Sequence, residues 1–393
     1  MDTGKLNLSI NQNNISIFSV ISIGLSAMSG YMGLPFLIGF LTELNHLNGT
    51  QSGWLASADV SGLALASITA PWWLKKLADK QTIYICLLIV IVANVITPLI
   101  SNFNLLILDR LIVGMAGGII FTKSTVLLAT SDNPERSIGF FTSASAFTMS
   151  FFLVFMPIIA KEFNQSTSLS FLAVLPTLCL LLVKYWPKIT INHQESESES
   201  DNVSFTMPLF TILFCFALFA ASVNIMWSFV ERIGGEFNFS ATDIGTTISL
   251  SNLFSMCGGL IAAKLGRRFG ILIPILFGIS IQIICLLILY LLNISISLWL
   301  FGCIFAVYFL FWSFIDVYQY SAMQKFEPSG KGVSMTPAFI AIGSAVGPLC
   351  ASFAINGGSF LNSTPIAIFL SMLLLTAYIL LFNKNKIISR FNV

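Results

Sequence analysis

The chain has 393 residues, of which 56% are hydrophobic and 9% charged, with a net charge of +2 and a mean hydropathy of +0.88. So little charge cannot cover the surface of a soluble protein of this size, and no basic tract suits nucleic acid. The composition instead predicts a chain that crosses a lipid bilayer many times.

The N-terminus, MDTGKLNLSINQNN, is polar, and the long apolar run behind it shows no small-residue cleavage site, so an uncleaved first span is expected. A crossing needs ~20 apolar residues. Twelve segments qualify: 15–40, 53–74, 82–101, 104–130, 137–160, 168–186, 206–230, 242–263, 270–292, 295–322, 332–356 and 363–383. Helices are expected for all of them, because lipid cannot satisfy open backbone groups. Residues 187–205, PKITINHQESESESDNVSF, cannot pack a core and are read as a solvated linker, with regulation by phosphorylation as an alternative. The expected domains are therefore an N-terminal bundle (1–186), this linker (187–205) and a C-terminal bundle (206–393).

With the N-terminus placed inside, fifteen of the nineteen Lys and Arg residues fall in inner segments; Lys161 and Arg232 fall outside, and Arg110 and Lys123 lie within the fourth span. That asymmetry predicts both termini in the cytoplasm. Trp54 and Trp299 at outer helix starts, and Trp72, Trp73 and Trp186 at inner ends, suit interfacial belts; Trp227 and Trp312 fall deeper. The seven cysteines all lie in apolar runs without a CxxC pair and are expected to be buried thiols. The two histidines, His46 and His193, sit in predicted loops, which leaves no histidine for a metal or catalytic site inside the bilayer. No phosphate-binding loop, catalytic triad or metal cluster is visible, so no cofactor and no enzyme activity is expected.

The halves echo one another. DNPERSIGFF (132–141) follows the fourth span and FEPSGKGVSM (326–335) the tenth; PWWLKKLADK (71–80) follows the second and GLIAAKLGRR (259–268) the eighth, with Lys76 opposite Lys264 and Leu77 opposite Leu265. Two halves of like orientation joined by an inner loop imply a parallel repeat about an axis along the membrane normal.

Here the chain resembles the major facilitator superfamily of secondary transporters. That family's loop between spans two and three reads Gly-x-Leu-Ala-Asp-Arg/Lys-x-Gly-Arg-Arg. Leu77, Ala78, Asp79 and Lys80 keep part of it, with Lys75 and Thr82 in place of both glycines. The second half keeps Gly259, Leu260, Lys264, Gly266, Arg267 and Arg268, with Ala263 where Asp would stand. Arg110 and Gly114 match the fourth-span signature, and GSAVGP (343–348) is similar to a pattern the family uses where helices approach closely. The resemblance implies an all-α integral membrane fold of twelve helices in two pseudo-symmetric six-helix bundles. It implies a cavity lined by spans one, four, seven and ten, and a cytoplasmic latch of Asp79, Lys80, Arg267 and Arg268.

A charge near the bilayer centre costs ~2.5–3.5 kcal/mol on insertion scales and normally faces a partner inside the bundle. Counting along the spans puts Asp59 and Arg110 at similar depth, so an Asp59–Arg110 pair is expected, with Asp109 as a rival partner. It is read either as a static packing pair or, as the resemblance favours, as a proton-coupling group. Lys123 and Asp316 fall at equal depth in the repeat mates, spans four and ten. They are read as a pair between halves that forms when the inner side closes, or as direct substrate contacts; in the plainer alternative, Lys123 snorkels and Asp316 binds within its own half. Tyr31, Asn224, Trp227, Trp312, Gln319 and Tyr320 are the substrate-cavity candidates, with ordinary helix packing as the alternative for each. The expected activity is alternating-access transport of a small organic solute, coupled to protons, by a monomer in the inner membrane. Efflux by antiport is placed first, then uptake by symport or passive facilitation, with a transporter-like membrane sensor as a distant alternative.

Overall fold

The computed structural model describes residues 14–73, 79–129, 131, 134–187, 207–266, 268–292, 296–327, 331–355 and 358–391. Among them the chain forms helices and no strand. The first crossing is built from α1 (Asn14–Ser26), α2 (Ser29–Met32) and α3 (Leu34–Leu44). The second is α4 (Gly49–Ile68) with α5 (Ala70–Trp73), and α6 (Asp79–Ile96), α7 (Phe103–Ala129) and α8 (Pro134–Glu162) follow. The sixth is broken into α9 (Gln165–Ser170) and α10 (Val174–Leu180). The second half runs α11 (Met207–Glu236), α12 (Ala241–Leu265), α13 (Leu272–Leu291), α14 (Leu298–Phe326), α15 (Lys331–Ile355) and α16 (Ser363–Phe391). Among the described residues nine helices are long and apolar enough to cross a membrane. The first, second and sixth crossings are shorter or more polar.

Several boundaries differ from the hydropathy reading, each for a local reason. The first span is interrupted rather than continuous. Gly33 ends α2 and Pro35 opens α3. Proline has no N–H to offer the carbonyl four residues back, that of Tyr31, so the helix cannot run through smoothly. The second helix begins at Gly49 rather than 53, because Asn48 and Gln51 cap it reciprocally: Gln51 N donates to Asn48 Oδ1 (2.8 Å) and Asn48 N to Gln51 Oε1 (3.0 Å). The seventh helix continues past 230 to Glu236, which brings Glu231 inside the bundle. The linker lies almost wholly outside the described residues. Trp186, read as interfacial, is buried, and Cys257, Cys303 and Cys350, read as buried, are exposed on the helix surfaces.

Repeat-related helices pack the same way. Within the first half α4 lies along α7, and within the second α12 lies along α14. Glycine makes both crossings close: a Cβ on Gly114 would stand 1.9 Å from the Asp59 carbonyl oxygen, and one on Gly258 1.8 Å from that of Leu310. GSAVGP does the same between α15 and α11, where a Cβ on Gly343 or Gly347 would meet the carbonyl oxygens of Ala217 and Ala221 at 2.0 and 2.3 Å.

The halves meet through α3–α11, α4–α15 and α8–α12. At the end away from Asn14 and Phe391 (the far end), Arg232 Nη1 sits 2.7 Å from Glu43 Oε1, and Gly49 and Gly53 seat against Ile355 and Ser352. Deeper in, Ser150 and Ser249 each donate to the other's carbonyl (3.3 and 3.2 Å), and Asn252 Nδ2 donates to Ala146 O (3.3 Å). These contacts close the far end of the cleft between the halves.

Candidate functional site

Two polar levels lie inside the helices. The first is centred on Arg110 of α7, which is 0% exposed. An arginine can be held there only if its N–H groups are engaged. Nε and Nη2 donate to Asp109 Oδ2 at 3.1 and 2.9 Å, Nη1 donates to Asn94 Oδ1 at 3.1 Å, and Nη2 also donates to the Thr97 hydroxyl. Thr97 lies 2.8 Å from Asp109 Oδ2, which closes a compact ring at the end of α6. Asp59 of α4 stands further off: its Oδ2 is 3.9 Å from Arg110 Nη1, the residue is 5% exposed, and that oxygen has no hydrogen-bond partner among the described residues. Both carboxylates thus face Arg110, and the neighbouring Asp109 holds it more tightly. Gly30 of α2 lines the same recess, where a Cβ would come within 2.6 Å of Asp59 Oδ2.

The second level joins the halves. Tyr31 of α2 donates its hydroxyl to Asn224 Oδ1 of α11 (3.2 Å), and its carbonyl, the one Pro35 leaves without a helical donor, accepts from Trp227 Nε1 (3.2 Å). Asn224 Nδ2 is fixed in turn by Ala220 O and Ser344 Oγ at 2.9 and 2.8 Å. Trp227 packs edge-on against Phe309, and Phe309 against Trp312, each pair with centroids 6.1 Å apart. Asp316 lies one turn beyond Trp312 and one turn before Tyr320 on α14 and is half-buried, with Tyr31, Tyr320 and Tyr378 within electrostatic reach. Tyr320 is 39% exposed and packs edge-on against Phe216 with centroids 5.1 Å apart. Gln319 turns the other way, fully buried, and neither amide atom has a partner among the described residues.

The remaining sequence candidates separate. Lys123 is 0% exposed and lies within electrostatic reach of Cys86 on α6, in its own half. Of the latch residues, Lys80 Nζ donates to the Lys184 carbonyl (2.7 Å) at the end of the sixth crossing, and Arg268 is exposed. The side chains of Asp79 and Arg267 lie outside the described residues.

One residue was missed from sequence. Glu231, 6% exposed, presses its carboxylate onto α3 where a Cβ on Gly39 would meet Oε2 at 2.0 Å, and Oε2 has no partner among the described residues. Ending the seventh span at 230 hid it; the absence of Pro or Gly from Val230 to Ile233 was the available signal.

Residues 20–348 match the sequence profile of the Major Facilitator Superfamily. The chain belongs to that superfamily. Among curated proteins no sequence matches. The fold is similar to the crystal structure of the nucleoside transporter NupG: 16% identity, TM-score 0.74, covering 94% of this chain and 99% of that one. It is also similar to a bacterial homologue of the human lysosomal transporter Spinster in an inward-facing, unoccupied conformation, at 12% identity, TM-score 0.70, and 94% and 98% coverage. A structure described for substrate recognition in proton dependent oligopeptide transporters aligns at 14% identity, TM-score 0.72, and 94% and 98% coverage. At these identities the likeness is one of fold. The superfamily's two-bundle, all-α membrane architecture is the one described above, and it makes the chain a membrane transporter of a solute.

Proposed function

We propose that the protein is a secondary active transporter that moves a small organic solute by alternating access and couples that movement to protons through Asp59, Arg110 and Asp109. The observation that carries the reading is the unequal sharing of Arg110. Asp109, Thr97 and Asn94 hold the guanidinium, while Asp59 faces it from 3.9 Å with one oxygen unpartnered. Asp59 can therefore gain or lose a proton without unmooring the arginine, and its charge acts on α4, which packs against α15 of the other half. Solved relatives described as nucleoside and proton-dependent oligopeptide transporters support the solute class and the coupling. Efflux by proton antiport is placed first. The lysine and arginine asymmetry supports both termini in the cytoplasm of the inner membrane, with bundles 1–186 and 206–393 joined by 187–205.

The test is transport in proteoliposomes under an imposed pH gradient, with a panel of labelled organic solutes. Asp59→Asn is expected to abolish accumulation against a gradient while leaving solute exchange at equilibrium intact. Accumulation by that variant at the wild-type level removes the coupling role. The direction of the driving gradient separates antiport from symport, and indifference to it leaves passive facilitation.

A further inference from the structure

The carboxylate of Asp316, like that of Glu231, has no basic partner among the described residues. Among the described residues Asp59 and Asp109 face Arg110, and Glu43 faces Arg232, but Asp316 belongs to no ion pair. It lies ten residues before the end of α14, about 15 Å from that end at 1.5 Å per residue, well inside the crossing. Trp312, one turn before it, connects through Phe309 and Trp227 to the Tyr31 carbonyl of the other half, which puts this side of α14 on the cleft between the bundles. That cleft is closed at the far end by the contacts described above.

Among the described residues, those that flank it are aromatic. Trp312 and Tyr320 flank it one turn away on either side, Tyr31 of the other half lies within electrostatic reach, and Phe309 and Phe216 back the two flanking rings. Aromatic faces carry negative potential and attract organic cations, most strongly where water is excluded. A single carboxylate in a low-dielectric wall adds a directional Coulomb attraction and repels anions. Asn224 and the Tyr31 hydroxyl are tied to each other, and Asn224 also to Ser344, so the nearby donors of an anion site are already occupied.

We propose that Asp316, Trp312, Tyr320 and Tyr31 form a binding site for organic monocations, ammonium compounds that carry an aromatic or aliphatic body. One carboxylate sets the charge of the ligand at one, and the rings set its greasy character. This deepens the transport reading and rests on it, because it takes the cleft to be the path of the solute.

The test uses benzyltrimethylammonium, a permanent cation, beside its uncharged carbon analogue neopentylbenzene and the anion benzenesulfonate. Binding to the purified full-length protein is followed by tryptophan fluorescence and by calorimetry. The cation is expected to bind the wild type, with the other two at least about tenfold weaker, as loss of a desolvated ion pair implies. Asp316→Asn is expected to lose the cation by a similar factor and Asp316→Glu to retain most of it. Trp312→Leu should weaken the cation more than the neutral analogue, with Trp312→Phe intermediate, whatever the fate of the Asn variant's fold. No cation binding by the wild type, equal binding of all three probes, or wild-type affinity in Asp316→Asn overturns the site. Counterflow in proteoliposomes separates the two readings. A cation that binds but is not exchanged leaves the site standing and refutes its place on a transport path. A protein that moves another solute yet ignores the cation keeps the transport reading and loses this one.

Discussion

Replacing Gly114 by alanine tests how much of the structure depends on the α4–α7 crossing. The new Cβ would stand 1.9 Å from the Asp59 carbonyl oxygen, where ordinary contact begins at 3.4 Å, so the helices must part by the difference, 1.5 Å. The obstacle is backbone and cannot swing aside as a side chain would. Overpacking of this kind costs about 1–3 kcal/mol, against a gain of roughly 0.5–1 kcal/mol for alanine over glycine in a helix. The net expectation is a lower unfolding temperature in detergent. A second effect is specific to the site: Arg110 lies one turn away on α7 and Asp59 on α4, so parting the helices lengthens a pair already at 3.9 Å. Proton-driven accumulation should fall further than solute binding. Gly139→Ala, where a Cβ meets nothing within 4 Å, is the matched control and should keep or raise stability. A Gly114→Ala protein that melts and transports like the wild type would refute the reasoning from close approach.

Arg110→Lys keeps the charge but not the fan of donors to Asp109, Thr97 and Asn94, and should destabilise by about 1–3 kcal/mol for the unsatisfied buried acceptors, read by thermal unfolding. Gly39→Leu drives a side chain into the Glu231 carboxylate and should pry the far end apart, seen as faster labelling of a cysteine placed at Thr50. Tyr31→Phe removes one 3.2 Å hydrogen bond between the halves and should cost about 0.5–1.5 kcal/mol, measured by the same melt. If Lys123 meets Asp316 when the inner side closes, the exchange Lys123→Asp with Asp316→Lys should recover transport that each single change loses; normal transport by both single variants removes the pair.

The large features of the fold were legible because apolar runs of this length leave few alternatives, and because glycines such as Gly114, Gly343 and Gly347 mark close approaches before any coordinates exist. Charge depth along a span likewise brought Arg110 together with Asp59 and Asp109. Hydropathy could not rank those two carboxylates, since the ranking depends on where Thr97 and the end of α6 place their oxygens. Depth alone does not aim Lys123 either, because its helix face decides which neighbour a lysine meets. The break in the first crossing was written in Gly33 and Pro35, but a sliding average blurs a four-residue helix into one continuous span. Glu231 was lost for the opposite reason: a charged residue looked like a boundary when the helix simply continued.

That four-residue helix, α2, sets the two polar levels one residue apart along the chain. Gly30 lies against the Asp59 carboxylate, and the next residue, Tyr31, is bonded by main chain and side chain to the opposite bundle. The shortest covalent link between a charge buried in one half and a cleft wall in the other is therefore a single peptide unit, a Cα step of about 3.8 Å. A turn of that one peptide would shift both levels together.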